Sequence, residues 1–429
     1  MGRTPPPEMP APVEGQPAPK LTLEECFLLA LRRNENVAIS REEIAKANAS
    51  FFLAASESLG DVSFVMNHTF QEHQRGSGES GVGGSLTRSE SRSSAFTISQ
   101  PIFRGFRSLG AITGAGSLKN QRQNETHRTV ELLFLDIIDA FYNLLAQKRD
   151  VRTIREIHKL FHDRIGDLNE REKIGRSRIS EVASARARMR TLEAELAQSR
   201  GGLSIARYIL EFLTGEDLAP QNLNDRALPE DEEESLDVIL ESAAERVDVQ
   251  AAKEAMRVAK KAITVAQSGL WPQINYESNH YQNREGFQKD IDWDMLIKVE
   301  IPLFRGGENI GLIKEAVSEY KQAKLVYERT YREAILEIKQ SYENWQTSKR
   351  RSKALQQAVA DAEENFKFQQ EEYGRNLVSN LDVLEALQIL LETRQDANQA
   401  YYEMKGNFWR LVVARGNLPV EMAAQEVKI

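Results

Sequence analysis

The chain repeats its own order of segments, and that repeat limits its folds more than any other feature. Gln100-Pro101-Ile102-Phe103-Arg104-Gly105 recurs as Ile301-Pro302-Leu303-Phe304-Arg305-Gly306. Ile174-Gly175-Arg176 recurs as Tyr373-Gly374-Arg375, after which Ser180 matches Ser379, and Ala47 to Phe64 parallels Ala259 to Tyr276. The unit is roughly 200 residues, too long for a solenoid repeat, and implies two similar halves of one architecture.

The expected organisation is a Pro-rich leader over 1–20, a first repeat over 21–214, a linker over 215–234, a second repeat over 235–419 and a tail over 420–429. Each repeat opens with a helix, Leu23 to about Ser58 and about Ser235 to Ser268. Two strands follow, at about 61–75 and 92–103 in the first repeat and about 273–283 and 290–303 in the second. Period-2 alternation marks them as strands with one wet and one apolar face. Val62, Phe64, Met66 and Phe70 share a face, as do Phe96, Ile98 and Ile102, and Ile291, Trp293, Ile297, Val299, Ile301 and Leu303 alternate with Asp292, Asp294, Lys298 and Glu300. The Gly- and Ser-rich stretch Gln74 to Ser94 reads as a loop between the first pair.

Two long helices then close each repeat. Ile313, Tyr320, Tyr327 and Ala334 are seven apart, as are Tyr331, Ile338 and Trp345, the seam of supercoiled helices packed on neighbours. From Asn309 to Tyr373 the only breaker is Gly311, which allows a helix on the order of 90 Å. Gly374 is expected to end that helix in the left-handed conformation and Ser379 to cap the next with Asp382. Gly175 and Ser180 are expected to do the same in the first repeat. The acid run from Glu230 to Glu234 reads as a solvated linker.

Composition removes several classes. No stretch approaches the ~20 apolar residues of a membrane-spanning helix, a test that a membrane β-barrel passes unseen. Charged residues are 28% of the chain and mean hydropathy is -0.49, so most of the surface meets water. A net charge of -8 without a basic stripe interleaved with aromatics argues against a nucleic-acid partner. The leader lacks an apolar core and does not read as a secretory signal. Cys26 is the single cysteine and reads as a small buried hydrophobe. His158 and His162 stand i, i+4, but no third ligand falls in pattern, so no metal or cofactor is expected. No nucleophile elbow or phosphate-binding loop appears, so no catalytic residues and no enzyme are expected.

Four amphipathic strands cannot close a membrane barrel, which starts at about eight. An open edge in lipid strands backbone donors and acceptors at several kcal/mol each. The strands must then pair between chains. Eight-stranded interiors are filled by side chains, so a conducting pore favours three copies and twelve strands. A soluble two-stranded ribbon in each half is the other reading of the same alternation.

These segments resemble those of the TolC-like outer-membrane efflux proteins over about Leu21 to Pro419. Leu21-Thr22-Leu23-Glu24-Glu25, with Ala30-Leu31-Arg32-Arg33-Asn34 following, is similar to the family's opening helix. The two Pro-Ile/Leu-Phe-Arg-Gly segments resemble its strand-to-helix exits. Tyr373-Gly374-Arg375 with Leu381-Asp382-Val383-Leu384-Glu385-Ala386 resembles its tip and following helix.

The resemblance implies a mainly α fold with long antiparallel coiled-coil helices forming an α-barrel, and four membrane strands per chain in a trimeric twelve-stranded β-barrel. It implies a passive outer-membrane exit duct for efflux or type I secretion, a homotrimer in outer-membrane lipid that joins a periplasmic adaptor and an inner-membrane transporter. By the same resemblance Asp382 and Glu385 would line a pore constriction, and Tyr373, Ser180 and Glu181 would hold the tip closed. Val378 stands where an arginine link is found in the best-known member, with Arg375 or Arg176 as substitutes. Gly175, Arg176, Gly374 and Arg375 would contact the adaptor, and Phe64, Phe70, Phe96, Phe103, Tyr276 and Trp293 would face lipid or form its belt. The competing reading is a soluble or periplasmic coiled-coil structural or adaptor protein.

Overall fold

The computed structural model describes residues 21–70, 90–218, 223–228, 234–286 and 288–418. The leader, most of the Gln74–Ser94 stretch, Pro220, Pro229, the acid run over 230–233 and the tail lie outside the described residues. The described chain is mainly helical with one small antiparallel sheet. In order it forms α1 (Leu23–Arg33), α2 (Glu35–Leu59), β1 (Asp61–Phe70), β2 (Glu90–Arg104), α3 (Arg107–Lys173) and α4 (Ile179–Thr214). It continues with α5 (Leu236–Glu241), α6 (Val247–Gln267), β3 (Gln273–Arg284), β4 (Trp293–Glu300), α7 (Glu308–Gly374) and α8 (Asn380–Ala414). Two compact units result. One draws its described residues from Met1–Ile39, His127–Arg246 and Arg332–Ile429, the other from Ser40–Thr126 and Val247–Tyr331.

The first unit is a helical bundle with two main cores. Phe27, Phe134, Ile137, Phe141, Leu144, Leu210, Phe408 and Trp409 build one from α1, α3, α4 and α8. Ile154, Ile157, Phe161, Leu168, Val182, Leu192, Leu384, Leu387 and Leu391 build the other from α3, α4 and α8, with Ala362 and Tyr373 of α7. Each fully buried large apolar side chain contributes about 1.5–3 kcal/mol relative to exposure. The heptad residues Ala334, Ile338 and Trp345 are buried, while Tyr331 of the same seam is exposed.

The opening helix differs from the expectation. It breaks at Asn34, which takes an extended backbone (φ -68°, ψ 121°) and accepts a hydrogen bond from the Val37 amide at 3.2 Å. Asn34 thus caps α2 in place of continuing α1, a role its short carbonyl-bearing side chain favours. Thr22 and Glu25 close a capping box at the other end of α1. The helix expected over 235–268 is also split, between α5 with its following 3₁₀ turn and α6. At the break, Arg246 is buried and donates to the Ala414 carbonyl at 3.0 Å and to Glu337 at 2.5 Å.

The expected linker is partly packed. Leu218 and Leu223 join the first core, the Asn224 amide donates to the Leu21 carbonyl at 2.8 Å, and the buried Lys405 ammonium holds Asp225 and the Arg226 carbonyl.

α3 and α7 hold 67 residues each. The separation between Pro101 and Pro302 is the same as that between Arg107 and Glu308, Lys173 and Gly374, and Ile179 and Asn380. The tip pairing read from the sequence does not keep this spacing. Gly175 is left-handed (φ 74°), but its counterpart is Asn376 (φ 61°), and Gly374 is still the last residue of α7. Ser379 caps α8 through Asp382 as expected. Ser180, two positions out of step, lies inside α4, whose N-cap is Arg178 with no side-chain cap bond.

Candidate membrane face and helical tip

The second unit carries the sheet, in order β1-β2-β3-β4, antiparallel throughout. The register sorts its side chains onto two faces. Val62 pairs with Ile98 and Phe64 with Phe96. Phe96 pairs with His280, Ile98 with Ser278, Gln100 with Tyr276 and Phe103 with Ile274. His280 pairs with Trp293, Ser278 with Met295, Tyr276 with Ile297 and Ile274 with Val299. One face therefore presents Val62, Phe64, Met66, Phe70, Phe96, Ile98, Phe103, Ile274, Tyr276, Trp293, Met295, Ile297 and Val299. All six aromatics expected to face lipid lie on it.

The other face is mostly polar and holds Asp61, Ser63, Asn67, Thr97, Ser99, Asn275, Glu277, Asn279, Asp294, Lys298 and Glu300, with Val65 and Leu296 as its exposed apolar residues. Across it, Thr97 donates to Asn279 at 2.7 Å, Asn279 to Asp294 at 3.0 Å and Tyr281 to Asp294 at 2.9 Å.

Parity between β2 and β3 departs at two bulges, one between Ser94 and Ala95 and one between Pro101 and Phe103. The second leaves Ile102 without a register partner and sets Phe103 opposite Ile274 on the apolar face. β4 also ends earlier than expected, at Glu300, which leaves Leu303 and Phe304 outside any strand and 92% and 87% exposed.

Among the described residues no helix covers this apolar face. Ala95 is the one buried residue in the four strands. Phe64 and Phe96 touch at 4.9 Å between ring centroids and remain exposed. β1 and β4 are the sheet's outer strands, so among the described residues each keeps one unpaired backbone edge. A row of exposed aliphatic and aromatic side chains of this size, with two open edges, is an aggregation template in water.

The tip of the helical unit is built from the α3–α4 and α7–α8 turns. Tyr373 is buried. Its hydroxyl donates to Glu181 at 3.4 Å, Ser177 donates to the same carboxylate oxygen at 2.7 Å, and Asn380 donates to the Glu181 carbonyl at 3.4 Å. Glu181 and Tyr373 are thus brought together, whereas Ser180 is exposed on α4. Gly175, Arg176, Gly374 and Arg375 are exposed at the turns.

Asp382 and Glu385 lie in the first turns of α8. The Asp382 carboxylate accepts from the Ser379 amide and hydroxyl, each at 2.7 Å, and these bonds hold it below the ordinary carboxylate range. Glu385 is exposed.

Residues 28–216 and 238–417 match the outer membrane efflux protein family. The chain belongs to that family. It is 22% identical over 337 residues to outer membrane protein TolC of Vibrio cholerae, an alignment covering 76% of this chain and 77% of the relative. It is 22% identical over 324 residues to cation efflux system protein CusC of Escherichia coli, covering 70% of each. The crystal structure of the outer membrane protein VceC from Vibrio cholerae has the same fold, with a TM-score of 0.80 at 18% identity over 92% of this chain and 96% of that one. A soluble adaptor is not favoured for a member of this family.

One tip residue of this family member escaped the sequence reading. Arg164 of α3 is buried and lies over the Tyr373 ring, with its guanidinium carbon 3.8 Å from the ring centroid, and Arg171 approaches the same ring at 4.8 Å. Arg164 Nε donates to Asn380 at 3.0 Å, while Nη2 is buried without a hydrogen-bond partner among the described residues. Burial pulls this guanidinium below its ordinary range. Within the described chain the two guanidinium groups over the Tyr373 ring both come from α3. The signal was an arginine in the apolar stripe Ile157, Phe161, Arg164, Leu168.

His158 faces Glu193 at 3.6 Å and His162 faces Asp163 at 3.8 Å, so the two do not converge. Among the described residues no cluster of His, Cys, Asp or Glu is arranged to hold a metal ion. Cys26 is buried and its thiol is pushed up to about 12, first by burial and then by Glu25 and Glu24.

Proposed function

We propose that three copies of this chain join their sheets edge to edge into one twelve-stranded barrel in the outer membrane, and that their helices continue it as a tunnel. The result is a passive exit duct that works with a periplasmic adaptor and an inner-membrane transporter of a tripartite efflux or type I secretion system. The observation that carries this reading is the four-stranded sheet with one face apolar and exposed and both edges unpaired. Lipid against the apolar face removes the cost of that exposure, and pairing β4 of one copy with β1 of the next removes both edges. The polar face then lines the lumen. The matched lengths of α3 and α7 and their constant spacing support two internal repeats, 21–214 and 235–419, joined by 215–234.

At the tip, Tyr373 and Glu181 with Arg164 hold the α3–α4 and α7–α8 turns together, and the exposed Gly175, Arg176, Gly374 and Arg375 offer the adaptor its contact. Three copies of Asp382 and Glu385 form an acidic constriction that favours cations. Purified protein reconstituted in planar bilayers tests the duct: stepwise cation-selective conductance is expected, blocked by multivalent cations. Asp382→Ala with Glu385→Ala should relieve that block, and an unchanged block would remove these residues from the constriction. A protein that stays monomeric and soluble without detergent would remove the duct itself.

A further inference from the structure

The helical unit holds a cleft of about 1090 Å³ lined by α3, α7 and α8, with Leu203 of α4 and Leu223 also in its wall. That volume sits at the upper end of ordinary small-molecule sites, roughly 300–1,000 Å³.

The cleft is basic in an acidic chain. Lys148, Arg149, Arg152 and Arg155 of α3 and Arg394 of α8 line it. They outnumber its carboxylates, Glu156, Asp225 and Glu363, by five to three, in a chain whose net charge is -8. All three carboxylates are already engaged. Glu156 meets Arg152 at 2.9 Å and Arg394 at 3.5 Å. Glu363 accepts from Arg394 Nε at 3.1 Å, and Asp225 is held by the buried Lys405.

Arg149 and Arg155 are exposed, and among the described residues neither has a carboxylate within ion-pair distance. The acid next to Arg149 in sequence, Asp150, is committed inward. It accepts from the buried Asn398 at 3.0 Å, and burial pushes its carboxyl above the ordinary range. Arg149 is steadied by aromatic rings: its guanidinium carbon lies 5.6 Å from the Tyr401 centroid, and it faces the hydroxyl of buried Tyr402. A guanidinium placed in this way is a ready fork for a carboxylate or a phosphate. Arg155 stands six residues further along α3, about 9 Å of helix rise.

We infer that this cleft binds a multivalent organic anion, with two of its acidic groups taken by Arg149 and Arg155. One exposed arginine is ordinary surface. Two in one cleft, with every carboxylate of the wall already paired, leave a positive excess that an anion from outside neutralises. Because α3, α7 and α8 share the cleft, an occupant that binds only the folded chain also raises its stability. The inference is independent of how the sheets of separate copies join.

Isothermal titration of the full chain in detergent tests it. The probes are inositol hexakisphosphate, mellitate as a polycarboxylate, and inorganic phosphate as the single-group control. The polyanions should bind, and phosphate alone should bind at least about tenfold more weakly. Arg149→Gln with Arg155→Gln should weaken the polyanions by about tenfold or more, since the charge-assisted bonds are lost. Arg149→Lys with Arg155→Lys keeps the charge without the fork and should lose less. Arg188→Gln with Arg350→Gln removes the same charge from exposed positions outside the cleft and should change affinity by less than about twofold. Binding of one polyanion and not the other supports the cleft and fixes the acidic group as phosphate or carboxylate. If neither polyanion binds, if the Arg149 and Arg155 glutamine pair binds as tightly as the native chain, or if the Arg188 and Arg350 pair loses as much, the inference is wrong.

Discussion

The two units use the same kinds of apolar residue in opposite ways. In the helical unit Phe27, Phe134, Phe141 and Phe161 are almost fully buried between helices. In the sheet unit Phe64, Phe70, Phe96 and Trp293 share one face and stay exposed, with nothing from the described chain over them. The helical unit finds its nonaqueous solvent in itself, while the sheet needs one from outside. An apolar side chain is thus evidence of a core only where a second layer of the same unit faces it.

Substitutions that should behave differently in the two units sharpen this contrast. The largest effect is expected for Phe141→Ala in the helical core, about 3–5 kcal/mol of unfolding free energy, read as a shifted denaturation midpoint in detergent. Next, Ile297→Arg on the apolar face should cost about 2–4 kcal/mol when unfolding is measured from vesicles. Asn279→Arg on the opposite face should be nearly neutral in the same assay, and equal costs for the two would abolish the distinction between the faces. Gly105→Ala should cost about 1–3 kcal/mol through its left-handed backbone and the close approach to Ser268 and Trp271, with a shift in Trp271 emission as its signature. Gly306→Ala, where a Cβ meets open space, should leave that emission unchanged.

The smallest effect is local and depends on pH. Ser379 lowers the Asp382 pKa in the folded chain, so the cap contributes fully above the ordinary carboxylate pKa of about 3.9. It is lost as pH falls through the depressed folded value. Amide exchange at Ser379 and Asp382 should stay slow down to about pH 4 and quicken only below it. In Asp382→Asn that acid-induced quickening should be absent.

Much of the sheet was legible because alternation is a local property: Val62 to Phe70 and Trp293 to Val299 declare their faces without reference to any partner. The bulge at Ile102 was not, since an extra residue exists only relative to a paired strand, and parity beyond it changes. Asn34 and Asn376 show a second limit. Asparagine serves here once as a helix cap and once as a left-handed turn residue, and its chemistry permits both along with ordinary helix. At the tip, Gly374 looked like the stop because glycine is the usual left-handed residue, yet α7 runs through it to the turn at Asn376. Tyr373 and Glu181 came from the family resemblance. Arg164 required seeing a guanidinium packed on a ring across two helices that are distant in sequence.

The joining of sheets between copies is tested most directly by linking their edges. Ser63→Cys on β1 and Lys298→Cys on β4 place thiols on the outer strands, which within one chain lie three strand steps apart, roughly 14 Å. Cys26 can remain, since a buried thiol pushed up to about 12 is unreactive at neutral pH. A cross-linker shorter than that separation should convert the double variant in native membranes into covalent dimers and trimers and nothing larger. If only monomers carried the linker while the protein stayed folded, the sheets do not join between copies.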